Sequence, residues 1–287
     1  MTNMKWSKSY YETIHVCTEQ ASASICLDYY NQRVRLDNGH GDATTLLYLL
    51  EEAAVSISAQ KCIAKIRPSD AAIWLTNGYV IEGIWDGYFA GELAWGVCRY
   101  IESGRRNHVS WAEEDVILRG ILSRNKKNLQ TIQPPFHTRL CDVSDASMLA
   151  ELYASVFPVY PTPVSDPEYL SERMQTGTFF FAVFNDAGKL VSAAAAEPDH
   201  ELKNAEITDC ATDPAYRGMG WTRELILNLE THGRQFGWIT TYALCRAGIG
   251  AMNATMFDLN YQYRGRFANN CRMENGFENM NLWLKWL

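Results

Sequence analysis

The sequence has no apolar run that approaches the roughly 18 residues a membrane-spanning helix needs. Its first residues, MTNMKWSKSYYETIHV, contain no apolar stretch of the kind found in secretory signals. Positive charge is also scarce, since 26 Lys and Arg stand against 33 Asp and Glu and leave a net charge of −7. We therefore expect a cytoplasmic protein that binds neither membrane nor nucleic acid, and whose charge suits a cationic substrate.

Paired metal-binding or redox motifs are missing as well. The eight cysteines are scattered singly, with no C-x-x-C and no paired histidine spacing, at positions 17, 26, 62, 98, 141, 210, 245 and 271. This pattern suits free thiols in a reducing compartment and predicts neither a disulfide framework nor a metal site. Cys210 lies in a predicted strand, where a small buried hydrophobic side chain is the simplest interpretation.

The composition is that of a globular protein with a substantial core, because 47% of its 287 residues are hydrophobic and 21% are charged. This length allows two ordinary domains or one large one. Gln133-Pro134-Pro135 interrupts the pattern after a predicted connecting helix, Asp115 to Gln130, and predicts a boundary near 130–136. We thus expect an α/β domain over residues 1–130 and a second domain over 136–287.

The stretch from Asn204 to Glu224 carries the clearest local pattern. The pattern predicts a strand buried on both sides from Ala205 to Thr212. Asp213 to Gly220 is rich in residues typical of turns, and helical periodicity begins at Thr222. A strand, a glycine-bearing loop and a helix N-terminus together can cradle a phosphate, because free backbone N–H groups and the helix dipole favour an anion. A Rossmann fingerprint and a Walker loop are both excluded by the spacing. A plain strand–turn–helix remains the alternative.

The second domain alternates strands and helices throughout. Its predicted elements are strands near 137–142, 179–184, 190–197, 205–212, 239–245, 261–267 and 279–286, and helices near 145–156, 166–174, 222–236 and 251–259.

The first domain carries no chemical motif but shows a similar order. Its predicted elements are a helix at Ala43–Ser58, a strand at Lys61–Arg67, a helix at Ser69–Asn77 and a hairpin of Tyr79–Asp86 and Tyr88–Tyr100 around Gly87. We interpret it as a degenerate half-repeat of the second domain that lacks the phosphate loop. An unrelated α/β domain is the alternative.

The loop Arg217-Gly218-Met219-Gly220-Trp221-Thr222 resembles the acetyl-CoA loop of the GNAT acetyltransferase superfamily, Arg/Gln-x-x-Gly-x-Gly/Ala. Thr222 departs from this pattern, which has Gly or Ala there. The order of elements from Phe136 to Leu287 is also the GNAT order. The resemblance implies a mixed, mostly antiparallel central sheet flanked by helices, preceded here by the smaller, degenerate GNAT-like domain.

Within that superfamily the chain looks most like the beta-lysine N-acetyltransferases. The motifs that carry this resemblance are EITDCAT at 206–212, YRG at 216–218, MN at 252–253, YQY at 261–263, GR at 265–266, NN at 269–270, ENMNLWLK at 278–285 and the YPTP loop at 160–163. Trp221-Thr222, Met256 and Asn260 depart from that family's pattern. The resemblance implies transfer of acetyl from acetyl-CoA to the terminal amine of beta-lysine in a ternary complex, giving a compatible solute used in salt stress, without a metal.

The resemblance also implies how the cofactor is bound. Backbone groups of Cys210, Ala211 and Thr212 would contact the acetyl-pantetheine arm, and Arg217 to Thr222 would bind the pyrophosphate. Asn253, at the start of the last helix, matches a position that contacts the pantetheine arm.

The resemblance implies that Glu206 is the general base, acting through a water, because it matches the glutamate that the histone-acetyltransferase branch uses at the same distance before the loop. A carboxylate on a mostly apolar strand would also gain basicity from desolvation. A solvent-facing position at the strand edge is the alternative. Asp209, three residues on, should face the opposite side unless a bulge intervenes. Met256 stands where many GNAT enzymes have a tyrosine acid, so that Tyr261 and Tyr263 become candidates, although either could be a core aromatic.

Beta-lysine carries two amines and a carboxylate, so the expected acceptor site needs negatively charged groups for the amines and hydrogen-bond donors for the carboxylate. We predict that Glu197 and Asp209 bind the amines, that Arg266, Asn269 and Asn270 bind the carboxylate, and that Tyr160 lines the site. Ordinary surface or capping roles remain open for each. A polyamine, lysine or a protein lysine is the alternative acceptor, a non-catalytic acyl-CoA sensor is the alternative class, and a homodimer stays open.

Overall fold

The structure is a computed structural model that describes residues 10–127 and 132–287. The elements of the first half are β1 (Tyr11–Cys17), β2 (Ala21–Asp28), β3 (Arg33–Gly41), α1 (Ala43–Ser56), β4 (Lys61–Ile66), α2 (Ala71–Thr76), β5 (Val80–Phe89), β6 (Glu92–Tyr100) and α3 (Trp111–Ser123). Those of the second half are β7 (His137–Leu140), α4 (Ala146–Val156), α5 (Pro167–Gln175), β8 (Phe179–Phe184), β9 (Leu190–Asp199), β10 (Asn204–Thr212), α6 (Trp221–Gln235), β11 (Thr240–Arg246), α7 (Gly250–Asp258), β12 (Gln262–Met273) and β13 (Gly276–Trp286).

All of these strands belong to one continuous sheet, with the order β1-β2-β3-β4-β6-β5-β12-β13-β11-β10-β9-β8-β7. The pairs β3/β4 and β10/β11 are parallel and the remaining pairs are antiparallel. The predicted class, a mixed, mostly antiparallel sheet flanked by helices, is confirmed. No helix of the described residues is long and apolar enough to cross a membrane.

The two halves meet at the pair β5/β12, through Gly83 and Gly265. Gly265 adopts φ +138°, and a Cβ there would lie 2.2 Å from the carbonyl oxygen of Glu82. Only glycine permits so close an approach of the two backbones. The sheet is therefore continuous across the predicted domain boundary, part of which, at 128–131, lies outside the described residues.

Strand order is the same in both halves when β1-β2-β3-β4-β6-β5 is set beside β8-β9-β10-β11-β13-β12. A helix also joins the parallel pair in each half, α1 between β3 and β4 and α6 between β10 and β11. The first half has no described counterpart of β7, α4 and α5. This correspondence supports our half-repeat interpretation, which we retain as a proposal.

The core is divided among the faces of the sheet. In the first half, α1 packs on β2, β3 and β4 through apolar residues such as Val34, Leu36 and Leu50. In the second half, α6 packs on the face that carries Ala205 and Ile207, and α4 and α5 pack on the opposite face. A further cluster at the junction of the halves joins Trp85 to aromatic residues of β11 and β12.

Three predicted elements differ in detail. The hairpin turns at Ala90-Gly91 rather than at Gly87, because the register shifts within β5 and Gly87 stays inside that strand. The connecting helix is Trp111–Ser123, and the end predicted for it, up to Gln130, lies partly outside the described residues. β10 is not buried on both sides, since Glu206, Thr208 and Cys210 are only half-buried.

Candidate active site

The second half of the sheet opens between β10 and β11. These parallel strands pair only from Asn204 to Glu206, opposite Thr240 to Tyr242. Beyond that point β10 continues with β9, and β11 with β13, so that the two strands diverge. The backbone of β10 after Glu206 thus has no strand partner on this side among the described residues, and its groups are available to an extended ligand. Cys210, Ala211 and Thr212, whose backbone groups are predicted to contact the acetyl-pantetheine arm, lie on this stretch.

The loop after β10 leads into the N-terminus of α6 with a backbone that glycine favours. Gly218 adopts φ +84° and Gly220, the N-cap of α6, adopts φ +78°. Gly220 has no side chain that could cap this helix, so the N–H groups of Trp221 and Thr222 can face an anion, whereas the N–H of Arg223 donates to the carbonyl oxygen of Gly220 at 3.1 Å. At the matching end of α1, by contrast, the Asp42 carboxylate accepts from the N–H of Thr45 at 2.7 Å.

The other loop residues divide into exposed and buried ones. Arg217 and Met219 are exposed, and Arg217 Nε lies 3.4 Å from the carbonyl oxygen of Thr212. Trp221 is buried against Phe136, with ring centroids 4.6 Å apart, and anchors the start of α6. The Thr222 hydroxyl, at the position that departs from the family pattern, lies 3.5 Å from that of Thr212 at the floor of the loop. An exposed arginine beside a helix N-terminus that has no side-chain cap from Gly220 fits a pyrophosphate.

Three carboxylates converge on the face of the sheet that α4 and α5 cover. Glu206 lies directly between Glu197 on β9 and Tyr242 on β11. A bulge between Thr208 and Ala211, with Asp209 at φ +49°, adds one residue to β10 and shifts the alternation of side chains. The structure therefore brings Asp209 to the same face as Glu206, where a regular strand would have separated them.

The surroundings of Asp209 and Glu206 raise the pKa of both carboxyl groups. Burial raises the pKa of Asp209 to about 7, the negative charge of Glu197 adds to this rise, and the Tyr160 hydroxyl, which donates to Asp209 Oδ1 at 2.8 Å, opposes it. Burial and the charge of Glu197 likewise raise the pKa of Glu206. Arg173 on α5 balances part of the negative charge through an ion pair of 2.9 Å with Glu197.

Arg266, Asn269 and Asn270 lie elsewhere. They belong to β12, which β13 and β11 separate from β10, a distance of about 14 Å at the usual strand spacing. Arg266 donates to Asn281 and to Asp115, each at 2.8 Å. The Asn269 amide donates to two carbonyl oxygens of the segment before α3, and the Asn270 carbonyl accepts from a guanidinium of β3. These groups tie the two halves together rather than facing Glu206.

Tyr261 and Asn253 are also separated from the carboxylates. Tyr261 is buried on the α6 face, with its hydroxyl 2.8 Å from that of Thr241, while Glu206 faces the other side. Asn253 is fully buried and donates to the carbonyl oxygens of Arg246 and Ile249. Its own carbonyl accepts from Asn281 and Trp283. Both residues are therefore bonded within the protein.

Several charged residues near Glu206 were not predicted from the sequence. Arg35, Asp37 and Lys65 of the first half, and Arg173 of α5, all lie close enough to Glu206 or Glu197 to affect or balance their charge. The alternation Arg33-x-Arg35-x-Asp37 on β3 could have indicated a charged strand face. Within the described residues no group of three His, Cys, Asp or Glu side chains could hold a metal ion.

Comparison with known proteins connects this arrangement to a family. The acetyltransferase (GNAT) family model matches residues 146–250. N-acetyltransferase YodP of Bacillus subtilis is 36% identical over 260 residues, which are 91% of this chain and 94% of that protein. A beta-lysine N(6)-acetyltransferase of Methanosarcina mazei is 37% identical over 74% of this chain and 86% of its own length. Another, of Methanococcus maripaludis, is 28% identical over 89% of this chain and 93% of its own length.

Proposed function

Since this chain belongs to the GNAT family of N-acetyltransferases, we propose that it transfers the acetyl group of acetyl-CoA to the terminal amine of beta-lysine. The observation that carries the proposal is the cluster of Glu197, Glu206 and Asp209 beside the open edge of β10. Such a cluster suits an acceptor with two amines, and two relatives are named as beta-lysine N(6)-acetyltransferases. A cytoplasmic location and a role of the product as a compatible solute belong to this proposal.

The glycine loop and the free edge of β10 would hold the cofactor. The N–H groups at the start of α6 and the Arg217 guanidinium would bind the pyrophosphate. The unpaired backbone of β10 between Ile207 and Thr212 would bind the pantetheine arm as an additional strand does. When bound, acetyl-CoA supplies an acetyl group activated as a thioester.

Glu206 would act as the general base. A lysine-type ammonium has a pKa near 10.4 in water, so it must lose a proton before it can attack the thioester. Burial raises the pKa of Glu206 and makes its carboxylate a better proton acceptor. The neutral amine nitrogen would then form the new C–N bond while a backbone N–H of β10 stabilises the oxyanion. The C–S bond would break as the nitrogen gives up its second proton to the departing thiolate, which leaves as the thiol of CoA. Transfer is direct, within a ternary complex.

Glu197 and Asp209 would hold the amines before transfer. Arg173 partly balances the negative charge of Glu197 through their ion pair, and the Tyr160 hydroxyl orients the Asp209 carboxyl group by donating a hydrogen bond to it. A polyamine, lysine or a protein lysine would use the same carboxylates, so substrate selectivity must be measured.

The decisive experiment is free-thiol release from acetyl-CoA with beta-lysine, lysine, spermidine and a lysine-containing peptide as acceptors. We expect strong selectivity for beta-lysine. Glu206→Gln should retain acetyl-CoA binding and lose most turnover, while Glu201→Gln, a change at a side chain 73% exposed beyond the end of β9, should match the wild type. Tight acetyl-CoA binding without turnover of any amine would favour the acyl-CoA sensor, and absence of binding would refute the assignment of the loop.

A further inference from the structure

Within residues 10–127 and 132–287, no helix packs on one of the two faces of β3 and β4. α1 covers the side of Val34 and Leu36, which leaves Arg35 and Asp37 on the opposite side. In the second half, α4 and α5 cover the corresponding side. The sheet curls so that β1 reaches α5, where the hydroxyls of Tyr11 and Tyr169 lie 3.2 Å apart. The uncovered face of β3 and β4 is thereby turned toward the carboxylate cluster.

Contacts connect this face to Glu206. Tyr242 is the direct neighbour of Glu206 on β11, and Lys65 Nζ lies 5.8 Å from the centroid of the Tyr242 ring. Lys65 forms an ion pair of 2.7 Å with Asp37, which in turn lies 3.3 Å from Arg35. Two cations and one carboxylate of the first half therefore lie across from Glu197, Glu206 and Asp209, and we call the space between these two walls the recess.

Arg35 is the member of this wall whose hydrogen bonds are incomplete. Lys65 is paired with Asp37 and packed over Tyr88, 4.7 Å from its ring centroid. Arg35 Nε is buried and has no hydrogen-bond partner among the described residues. The Arg35 side chain as a whole is 34% exposed, so that part of it remains accessible to a ligand. A planar guanidinium with free donors in such a position suits a carboxylate, which it can bind bidentately.

We propose that the first half of the chain binds the carboxylate of an amino-acid acceptor through Arg35, while Glu206 and its neighbours receive the amine. This inference rests on the proposed function and specifies its acceptor as zwitterionic. The walls of the recess carry opposite charge, and a zwitterion with separated ends complements both. A polyamine has no carboxylate that Arg35 could bind, and its ammonium groups are repelled by the positive charges of Arg35 and Lys65.

The test compares beta-lysine with beta-lysine amide, which keeps both amines and lacks the carboxylate charge. In the wild type, kcat/KM for beta-lysine should exceed that for the amide. Arg35→Gln should lower kcat/KM for beta-lysine by about 10- to 100-fold, mainly through KM, because a charge-assisted hydrogen bond is lost. The kcat/KM for the amide should fall far less than that for beta-lysine, because the amide has no carboxylate to lose its partner and only the effect of Arg35 on Glu206 remains. Arg35→Lys should give an intermediate loss for beta-lysine. Arg99→Gln is the matched control, because it removes an arginine that pairs with Glu51 on the opposite face of the sheet. It should leave kcat/KM unchanged for both substrates.

Binding titrations separate this inference from the proposed function. Acetyl-CoA affinity should be the same in wild type and Arg35→Gln, which also shows that the variant folds. The role of Arg35 would be overturned if Arg35→Gln lowered kcat/KM for beta-lysine and for the amide by the same factor. It would also be overturned if the wild type had the same kcat/KM for both substrates. Arg35-dependent binding of beta-lysine without turnover of any amine would overturn the proposed function and leave the binding site supported.

Discussion

Replacing Asp209 with asparagine should stabilise the folded protein, and more so as the pH rises. A carboxyl whose pKa is raised in the folded state binds its proton more tightly there than in the unfolded chain. The cost of ionising Asp209 in the fold is therefore absent below its ordinary pKa of 3.8 and complete above about 7. Asparagine carries no charge at any pH and can still accept from Tyr160, so it avoids this cost.

The size of the effect follows from the two pKa values. Each pH unit between them contributes about 1.4 kcal/mol to the free energy of unfolding, so that the full difference is about 4 kcal/mol at pH 8 and about 1.5 kcal/mol at pH 5. The charged groups that face Asp209, namely Glu197 on β9 and Arg173 on α5, are present in both proteins, as are the hydroxyls of Tyr160 and Tyr153.

Urea unfolding of wild type and Asp209→Asn at pH 5 and pH 8 measures this difference. Asp186→Asn, a change in the exposed turn before β9, is the control and should show no pH-dependent gain. A gain of equal size at both pH values would mean that the charge of Asp209 is not the cause. A variant that is less stable than the wild type at pH 8 would refute the reasoning outright.

Two further predictions concern residues that hold the fold together. Gly265→Ala should destabilise the protein by several kcal/mol, because its Cβ would lie 2.2 Å from a backbone oxygen of β5, whereas Gly276→Ala, also at positive φ but in open space, should cost about 1–2 kcal/mol in urea unfolding. Equal losses would show that the contact at the β5/β12 junction does not matter. Asn253→Ala should cost about 2–4 kcal/mol, because the buried donors of Asn281 and Trp283 lose their acceptor, and calorimetry should find acetyl-CoA affinity unchanged. Weaker cofactor binding by a stably folded Asn253→Ala protein would restore its predicted contact with the pantetheine arm.

The sequence was most informative where structure is local. Hydrophobic periodicity and turn residues predicted β10, its glycine loop and α6, because strand, turn and helix follow from neighbouring residues. The sequence did not predict the bulge at Asp209, because residue types alone do not show where a strand gains a residue. It predicted only that Asp209 would share a face with Glu206 if a bulge lay between them.

Long-range partners could not be predicted in the same way. Arg266 has the chemistry of a carboxylate ligand, and its partner Asp115 lies 151 residues away in the chain. Arg35 carried no motif, and its relevance to Glu206 arises only because the sheet curls and brings the two halves face to face. Residue chemistry thus predicted which side chains can form ion pairs. Only the folded structure shows whether such a side chain is paired within the protein or is available to a ligand.

The cap of α1 has a consequence for stoichiometry. Asp42 places its carboxylate at the N-terminus of α1, whereas Gly220 at the corresponding end of α6 has no side chain that could do so. A carboxylate attached to the chain competes with any dissolved anion for these N–H groups, so the N-terminus of α1 is a poorer anion site than that of α6. Although strand order repeats along the chain, each molecule should therefore take up a single equivalent of acetyl-CoA.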